Sequence, residues 1–362
     1  MKRKKSIKIA TVYTKAPFEE IKIYTMEMIR WLKISEAIAR KGYSVDVIIN
    51  NGKEIKQVTH NLRYVSYAKV NWLDYDIVKT TFHLGFKSLI EEGIAQHPFI
   101  ISKLGSVVAS RERQGVHFHG EAREKLFSIQ KEINHRSKYI SILTDSSKRL
   151  WNREFSKENN ILLVPTGVDK NIPLPRKNPF KKFKEKIAVY IGNLYSKEYQ
   201  RDVNLRWQCR LNNIGRILKR KDIRLCLVAS GEVDRIDQAN VTYLGSVENK
   251  AIWDYQYYAD VGIVLAQGAQ QHNESSKIYY YLRAGLPVVS ESPIPNNSLL
   301  KESCLGFVSE YDDDEMMADL VEKAVCKNWD KSAAVNYILR NHTWDKRADI
   351  YDQIIKKEFN VL

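Results

Sequence analysis

The sequence contains no apolar run near the roughly 18 to 20 residues that a membrane span requires, and its opening, MKRKKSIKIATVY, has too short an apolar core for a signal peptide. Both absences lead to the expectation of a cytoplasmic protein. Cysteine is scarce, with Cys209, Cys226, Cys304 and Cys326 far apart and no CxxC pair. That spacing fits reduced thiols and excludes the usual zinc frameworks. No fixed-period repeat is visible.

Apolar material is ample. The hydrophobic fraction is 44%, with 7 Trp, 20 Tyr and 11 Phe, which supports folded cores and excludes large-scale disorder. A chain of 362 residues exceeds what one core usually serves, so two domains of about 150 residues each are expected. The net charge of +15 implies a negative partner: nucleic acid, an anionic membrane surface or a phosphorylated small molecule. Basic residues cluster at Lys2 to Lys5, in RKNPFKKFKEK (Arg176 to Lys186) and in RILKRKDIR (Arg216 to Arg224).

SIKIATVY (Ser6 to Tyr13), a helix over Met26 to Lys41 closed by Gly42, and the strand YSVDVIIN form a strand, helix, strand unit of the kind that builds parallel sheets. Further strands are predicted at DIVKTTF (Asp76 to Phe82), PFIISKL, YISILT and ILLVP. The stretch from Asp169 to Lys186, with three prolines and many lysines, reads as a connection. A second series follows: KIAVYIGNLY, DIRLCLVASGE, ANVTYLGSV, ADVGIVLAQG, GLPVVSES and LGFVSE, with helices such as Ala251 to Tyr258 between them. Two Rossmann-like doubly wound α/β domains facing across a cleft are expected: 1–170, a linker 171–186, and 187–343, with a helix over 344–360 packing back on the first. Such sheets bind ligands at the carboxyl ends of their strands.

Within the second series, NESSKIYYYLRAGLPVVS (Asn273 to Ser290) places a polar turn before a helix. Serine suits its amino-terminal cap and Gly285 a left-handed carboxyl cap. Ile278, Tyr281 and Leu282 have core spacing, with Arg283 on another side. Free amides, the helix dipole and the Lys277 ammonium converge beside Ser275 and Ser276, an anion site suited to a diphosphate.

YYYLRAGLPVVSE, VTYLGSVENKAIWDYQYYADVGIVLA, YIGNLY, LVASGE and VPTGVD (Val164 to Asp169) occur in the order found in GT-B fold glycosyltransferases, which the chain resembles over most of its length. The resemblance implies transfer of a sugar from a nucleoside-diphosphate sugar to a glycan, lipid-linked or other glycoconjugate acceptor in surface polysaccharide assembly. It also implies no metal and no cofactor beyond the donor substrate. Gly192 and Asn193 would lie close to the donor phosphates, with Lys197 and Arg201 nearby; Gly245, Ser246 and Val247 would meet the nucleobase. The loop Gln267 to Ser276 would meet sugar and diphosphate, its Gln270, Gln271 and Asn273 amides suiting hydroxyl recognition. The glutamate pair of many members is absent, replaced by His272 and Tyr280; Glu274 is the neighbouring carboxylate, for the ribose or for capping. Asn193 stands where an arginine is common, and Leu104-Gly105 where a His-Gly element is usual.

Lys277 and the helix terminus would neutralise the leaving diphosphate, in the cleft between domains. For a catalytic base, His83 follows the strand DIVKTTF; Glu19 and Glu20 follow the first strand; His117 and His119 lack a third ligand for a metal. The basic clusters fit either solvated surface faces or peripheral association with the inner face of a membrane. Two other readings stay open: a nucleotide-sugar epimerase of the same fold, and a basic nucleic-acid-binding protein, although no helix-turn-helix or RNP-like motif supports the latter.

Overall fold

A computed structural model of the chain describes residues 7–17, 25–50, 56–108, 120–155, 160–194, 201–266 and 272–360, with Arg201 described in its backbone only. These residues divide into two compact units. The first takes the chain up to Gly167 and resumes at Trp344; the second spans Val168–Thr343.

The first unit runs β1 (Lys8–Pro17), α1 (Met26–Arg40), β2 (Ser44–Asn50), β3 (Lys56–Thr59), β4 (Leu62–Ser66), β5 (Ile77–Thr81), α2 (Phe82–Glu91), β6 (Ile100–Lys103), α3 (Gly120–Arg136), β7 (Tyr139–Ile142), α4 (Asp145–Glu154) and β8 (Asn160–Leu163). Its sheet has the order β3-β4-β2-β1-β5-β6-β7-β8, parallel except for β3 against β4. That hairpin was not anticipated, because β3 is exposed along its whole length and carries no apolar alternation. The strand order reverses between β1 and β5, where the chain returns to the centre of the sheet.

The second unit runs β9 (Lys186–Asn193), α5 (Arg201–Lys219), β10 (Ile223–Ser230), β11 (Val241–Tyr243), α6 (Asn249–Tyr258), β12 (Val261–Val264), α7 (Ser276–Arg283), β13 (Val288–Glu291), α8 (Ser298–Glu302), β14 (Gly306–Ser309), α9 (Asp314–Cys326) and α10 (Lys331–Asn341). All pairings are parallel, in the order β11-β10-β9-β12-β13-β14. Short apolar runs such as LCLVA and VGIV form these strands because both faces are covered: α6 and α7 contribute to one core layer, α5 and α9 to the other. The stretch read as a connection lies along this unit. Phe180 is buried edge-on to Tyr255, and the Arg176 amide donates to Asp254 at 2.8 Å.

The last helix, α11 (Trp344–Phe359), belongs to the first unit. Its apolar face buries Trp344, Tyr351 and Ile355. Its acidic residues meet α1 and the sheet: Asp345 accepts from Arg40, Asp349 from Lys41, Asp352 from the Tyr43 hydroxyl at 2.7 Å and Glu358 from the Tyr139 hydroxyl at 2.6 Å.

One residue of the first core carries a cost. Lys79, in the middle of β5, is 1% exposed, and its amine has no hydrogen-bond partner among the described residues. The amine lies 5.2 Å from the centroid of the Tyr351 ring, and burial lowers its pKa to about 7. The unfolded chain holds that proton up to about pH 10.4, so the penalty is fully present below pH 7 and fades as the pH rises towards 10. Lys79→Met is therefore expected to stabilise the protein against urea, by on the order of 3 kcal/mol more at pH 7 than at pH 10. A gain independent of pH, or none, would show that the amine is solvated.

Candidate active site of the second unit

Strands β9 and β12 are hydrogen-bonded neighbours only at their beginnings, where Val261 pairs with Ala188 and Gly262 with Val189. Beyond that point the two strands no longer pair. The Ile191 amide donates instead to the Tyr281 hydroxyl, 2.9 Å away, so a side chain of α7 fills the opening. This is the position at which the strand order of the unit reverses, and the carboxyl ends of β9 and β12 flank it.

Gly192 and Asn193 end β9. A side chain at Gly192 would crowd Lys277, its Cβ standing 2.7 Å from Cε and 3.0 Å from Nζ. Glycine lets the lysine lie across the strand end. The Lys277 amine sits 5.2 Å from the centroid of the Tyr190 ring. Among the described residues no carboxylate pairs with it, and burial lowers its pKa to about 8. At neutral pH it is a largely protonated cation, with no counter-charge among the described residues.

The turn after β9 is tied to β10. The Leu194 amide donates to the Ser230 carbonyl at 2.7 Å, and the Ser230 hydroxyl to Asn193 Oδ1 at 3.0 Å. Gly231 follows with φ +106°, and a Cβ there would overlap the Leu194 carbonyl oxygen. Only glycine fits. The exposed Asn193 amide therefore stands at the end of two strands whose spacing is fixed.

The approach to α7 departs from the expected serine cap. Ser275 occupies the cap position, yet its hydroxyl makes no capping bond. Asn296 holds the turn instead, accepting from the Ser275 amide at 2.8 Å and donating to its carbonyl at 2.9 Å. Glu274, expected for a ribose or a cap, is buried and accepts from the Tyr279 hydroxyl at 3.0 Å. Ile278, Tyr281 and Leu282 are buried as their spacing requires, and Gly285 closes the helix at φ +69°. Arg283 is buried too, donating to the carbonyls of Asp169 and Lys170, because it anchors the incoming chain.

Beside α7, the end of β12 is held by a buried carboxylate. Glu291 Oε2 accepts the Ala266 amide at 2.7 Å, and Glu291 pairs with Arg210 at 2.8 Å; Arg210 also meets Asp314 at 2.8 Å. Charge-assisted bonds of this kind are strong and directional. At the end of β11, Gly245 adopts φ +79° and its carbonyl accepts the Ala229 amide at 3.1 Å. Ser246 is exposed and Val247 packs on the core beneath, leading into α6.

Thus Gly192 and Lys277 meet, Asn193 and the turn Asn273 to Ser276 lie at the same ends of the sheet, and Gly245 to Val247 end a strand further out. Lys197, Gln270 and Gln271 lie outside the described residues, as do Glu19, Glu20, His117, His119 and Lys2 to Lys5; of Arg201 only the backbone opening α5 is described. Asn296, Glu291, Arg210, Gly231 and the Tyr281 hydroxyl were not singled out by sequence reasoning. Only Gly231 carried a local signal, a glycine directly after an apolar run.

His83 belongs to the first unit and occupies the second position of α2. It follows Phe82, which has φ +57°, an unusual conformation for a bulky residue, with its ring lying where a side chain at Gly105 would stand. Gln130 takes the Val108 amide on Oε1 at 3.1 Å, so its amide nitrogen is the donor 2.7 Å from His83 Nε2. The ring proton then sits on Nδ1, and burial lowers the pKa to about 4. An imidazole so weakly basic, with its lone pair taken, is a poor general base. It holds Gln130, which in turn holds the chain at Ser106 and Val108.

Among the described residues no group of three His, Cys, Asp or Glu is placed to bind a metal, and no helix is long and apolar enough to cross a membrane. No protein-family model matches the chain, and no curated protein matches it by sequence. Solved structures do match. A sucrose-phosphate synthase from Thermosynechococcus elongatus is 13% identical, with a TM-score of 0.71 over 98% of this chain and 99% of that one. The structure described as trehalose-6-phosphate from E. coli bound with UDP-2-fluoro glucose is 11% identical, with a TM-score of 0.65 over 97% of this chain and 99% of that one. WaaG, a glycosyltransferase involved in lipopolysaccharide biosynthesis, is 12% identical, with a TM-score of 0.59 over 97% and 99%.

Proposed function

Because the chain has the GT-B fold, we propose that it is a glycosyltransferase that moves a sugar from a nucleoside-diphosphate sugar to a hydroxyl of a glycan, lipid-linked or other glycoconjugate acceptor. The observation that carries this reading is the Lys277 amine, half-buried and paired with no carboxylate among the described residues, beside Gly192 and at the amino end of α7. A cation in that setting is stabilised by an anion that also meets the free amides of the helix terminus. A diphosphate supplies both charge and several acceptor oxygens.

Glycosyl transfer leaves negative charge on the departing diphosphate. Lys277 and the first turn of α7 are already oriented towards that charge, so little reorganisation is needed as the bond to the sugar breaks. The Asn193 amide and the Ser246 hydroxyl are exposed polar groups on neighbouring strand ends, as is Ser230. His83 is not assigned a proton-transfer step. Since the trehalose-6-phosphate structure holds UDP-2-fluoro glucose, UDP is the first nucleotide to test.

We propose that the acceptor belongs to surface polysaccharide assembly and that the protein meets an anionic membrane surface from one side of the second unit. Leu174 there is 85% exposed, with Lys177, Lys181, Lys182 and Lys184 exposed along the same stretch. An exposed leucine among lysines suits an interface with anionic lipid. Neutralising Lys181, Lys182, Lys184 and Lys186 to glutamine should reduce sedimentation with anionic vesicles; wild-type protein that ignores such vesicles removes the membrane from the account.

For the donor site, Lys277→Ala is expected to weaken binding of UDP at least tenfold by calorimetry, as loss of a charge-assisted contact does. The wild-type affinity should fall as the pH rises above about 8, because the free enzyme then has to take up a proton to present the ammonium. Unchanged affinity in Lys277→Ala, or a flat profile between pH 7 and 9.5, contradicts this site. Release of free UDP from a UDP-sugar supports transfer, whereas interconversion of two sugar nucleotides identifies an epimerase.

A further inference from the structure

The carboxyl ends of α6 and α7 and the amino end of α10 enclose a hollow of about 590 Å³ at the surface of the second unit, a size within the range of small-molecule sites. Helices α6 and α7 each follow a strand of a parallel sheet, so they begin at its carboxyl end and finish at the other. From Lys277 to Gly285 the chain of α7 rises about 12 Å. The hollow therefore lies at the opposite pole of the sheet from the Lys277 site. Its floor is apolar, made by Ala284, Gly285 and Val335.

Its walls are polar. Ser332 and Asn336 are four residues apart and share one face of α10 with Val335. Tyr257, next to last in α6, lines the other side and is 54% exposed. The Tyr258 ring meets it at a centroid distance of 5.2 Å and an interplanar angle of 81°, an edge contact that leaves a ring face of Tyr257 uncovered by Tyr258. Among the described residues the Tyr257, Ser332 and Asn336 side chains have no hydrogen-bond partner.

A phenol, a hydroxyl and an amide each both donate and accept, which matches ligand hydroxyls rather than a fixed charge. An aromatic face beside them suits the C–H face of a pyranose ring. An anion is disfavoured, because the amino end of α10 is closed by its own cap: Asp330 accepts the Ala333 amide at 2.9 Å and sets a carboxylate there. A neutral ligand with hydroxyls around an apolar face uses every wall of the hollow.

We infer that this hollow is a second carbohydrate-binding site, in which one unit of a neutral glycan lies with its C–H face on Tyr257 and its hydroxyls on Ser332 and Asn336. It stands apart from the Lys277 site and from the reaction proposed there. Where the acceptor is a glycan, such a site retains the chain on the protein between transfers.

The probes are the methyl glycosides of glucose, galactose, mannose and N-acetylglucosamine, read by saturation-transfer NMR on the full-length protein. At least one is expected to bind with a dissociation constant on the order of 1–10 mM, as one exposed ring and a few hydrogen bonds provide. Tyr257→Ala is expected to weaken that binding about tenfold and Asn336→Ala about threefold, whereas Tyr257→Phe stays within about twofold of the wild type. UDP affinity should be the same in all three variants, and saturating UDP should leave the glycoside signal in place. Failure of all four glycosides to bind overturns the inference. A signal indifferent to Tyr257→Ala, or displaced by UDP, overturns it too, because the sugar is then bound elsewhere. A wild type that binds a glycoside through Tyr257 but has no affinity for UDP contradicts the proposed function and supports this site.

Discussion

Among the described residues no carboxylate stands beside the Lys277 amine, and the end of the second sheet is arranged around that amine. A desolvated cation without a counter-ion is unfavourable, and evolution commonly removes one unless it serves a ligand. Here the neighbours accommodate it: Gly192 offers no side chain, the Tyr190 ring presents its face, and β9 and β12 part to let α7 approach. A negative charge is the property that the proposed ligand has to supply. In the proposed function, a diphosphate brings that charge to a helix terminus whose cap residue leaves its first turn unbonded by a side chain.

The surrounding contacts keep that geometry stiff. Tyr281 bonds β9 to α7, Asn296 clamps the turn before α7, and Glu291 with Arg210 fixes the end of β12. Gly231 allows the two turns after β9 and β10 to touch. Each contact joins residues far apart in the chain. A site whose members are set by such cross-links is oriented before the substrate arrives, which is the condition for electrostatic stabilisation of a leaving group.

Alternating short apolar runs and helical patterns were enough to read both doubly wound units, because strands buried on two faces leave continuous β-branched segments. The boundaries of α7 were legible for the same local reason: a polar turn, a helix period and a closing glycine. What local pattern could not carry was partnership. Ser275 looks like a cap, but Asn296 from twenty-one residues later takes the role. His83 follows a strand as a catalytic base often does, yet Gln130 on another helix occupies its lone pair and burial leaves it neutral. The proline- and lysine-rich stretch resembles a linker in composition, while Phe180 and the carbonyls bonded by Arg283 bind it to the second unit. The β3-β4 hairpin was missed because β3 shows no apolar face at all.

A crystal structure of the protein soaked with a UDP-sugar tests the central claim most directly. The account predicts diphosphate oxygens within about 3 Å of Lys277 Nζ and of the amides in the first turn of α7. A nucleotide bound elsewhere, with Lys277 still alone beside Tyr190 and Gly192, would contradict it.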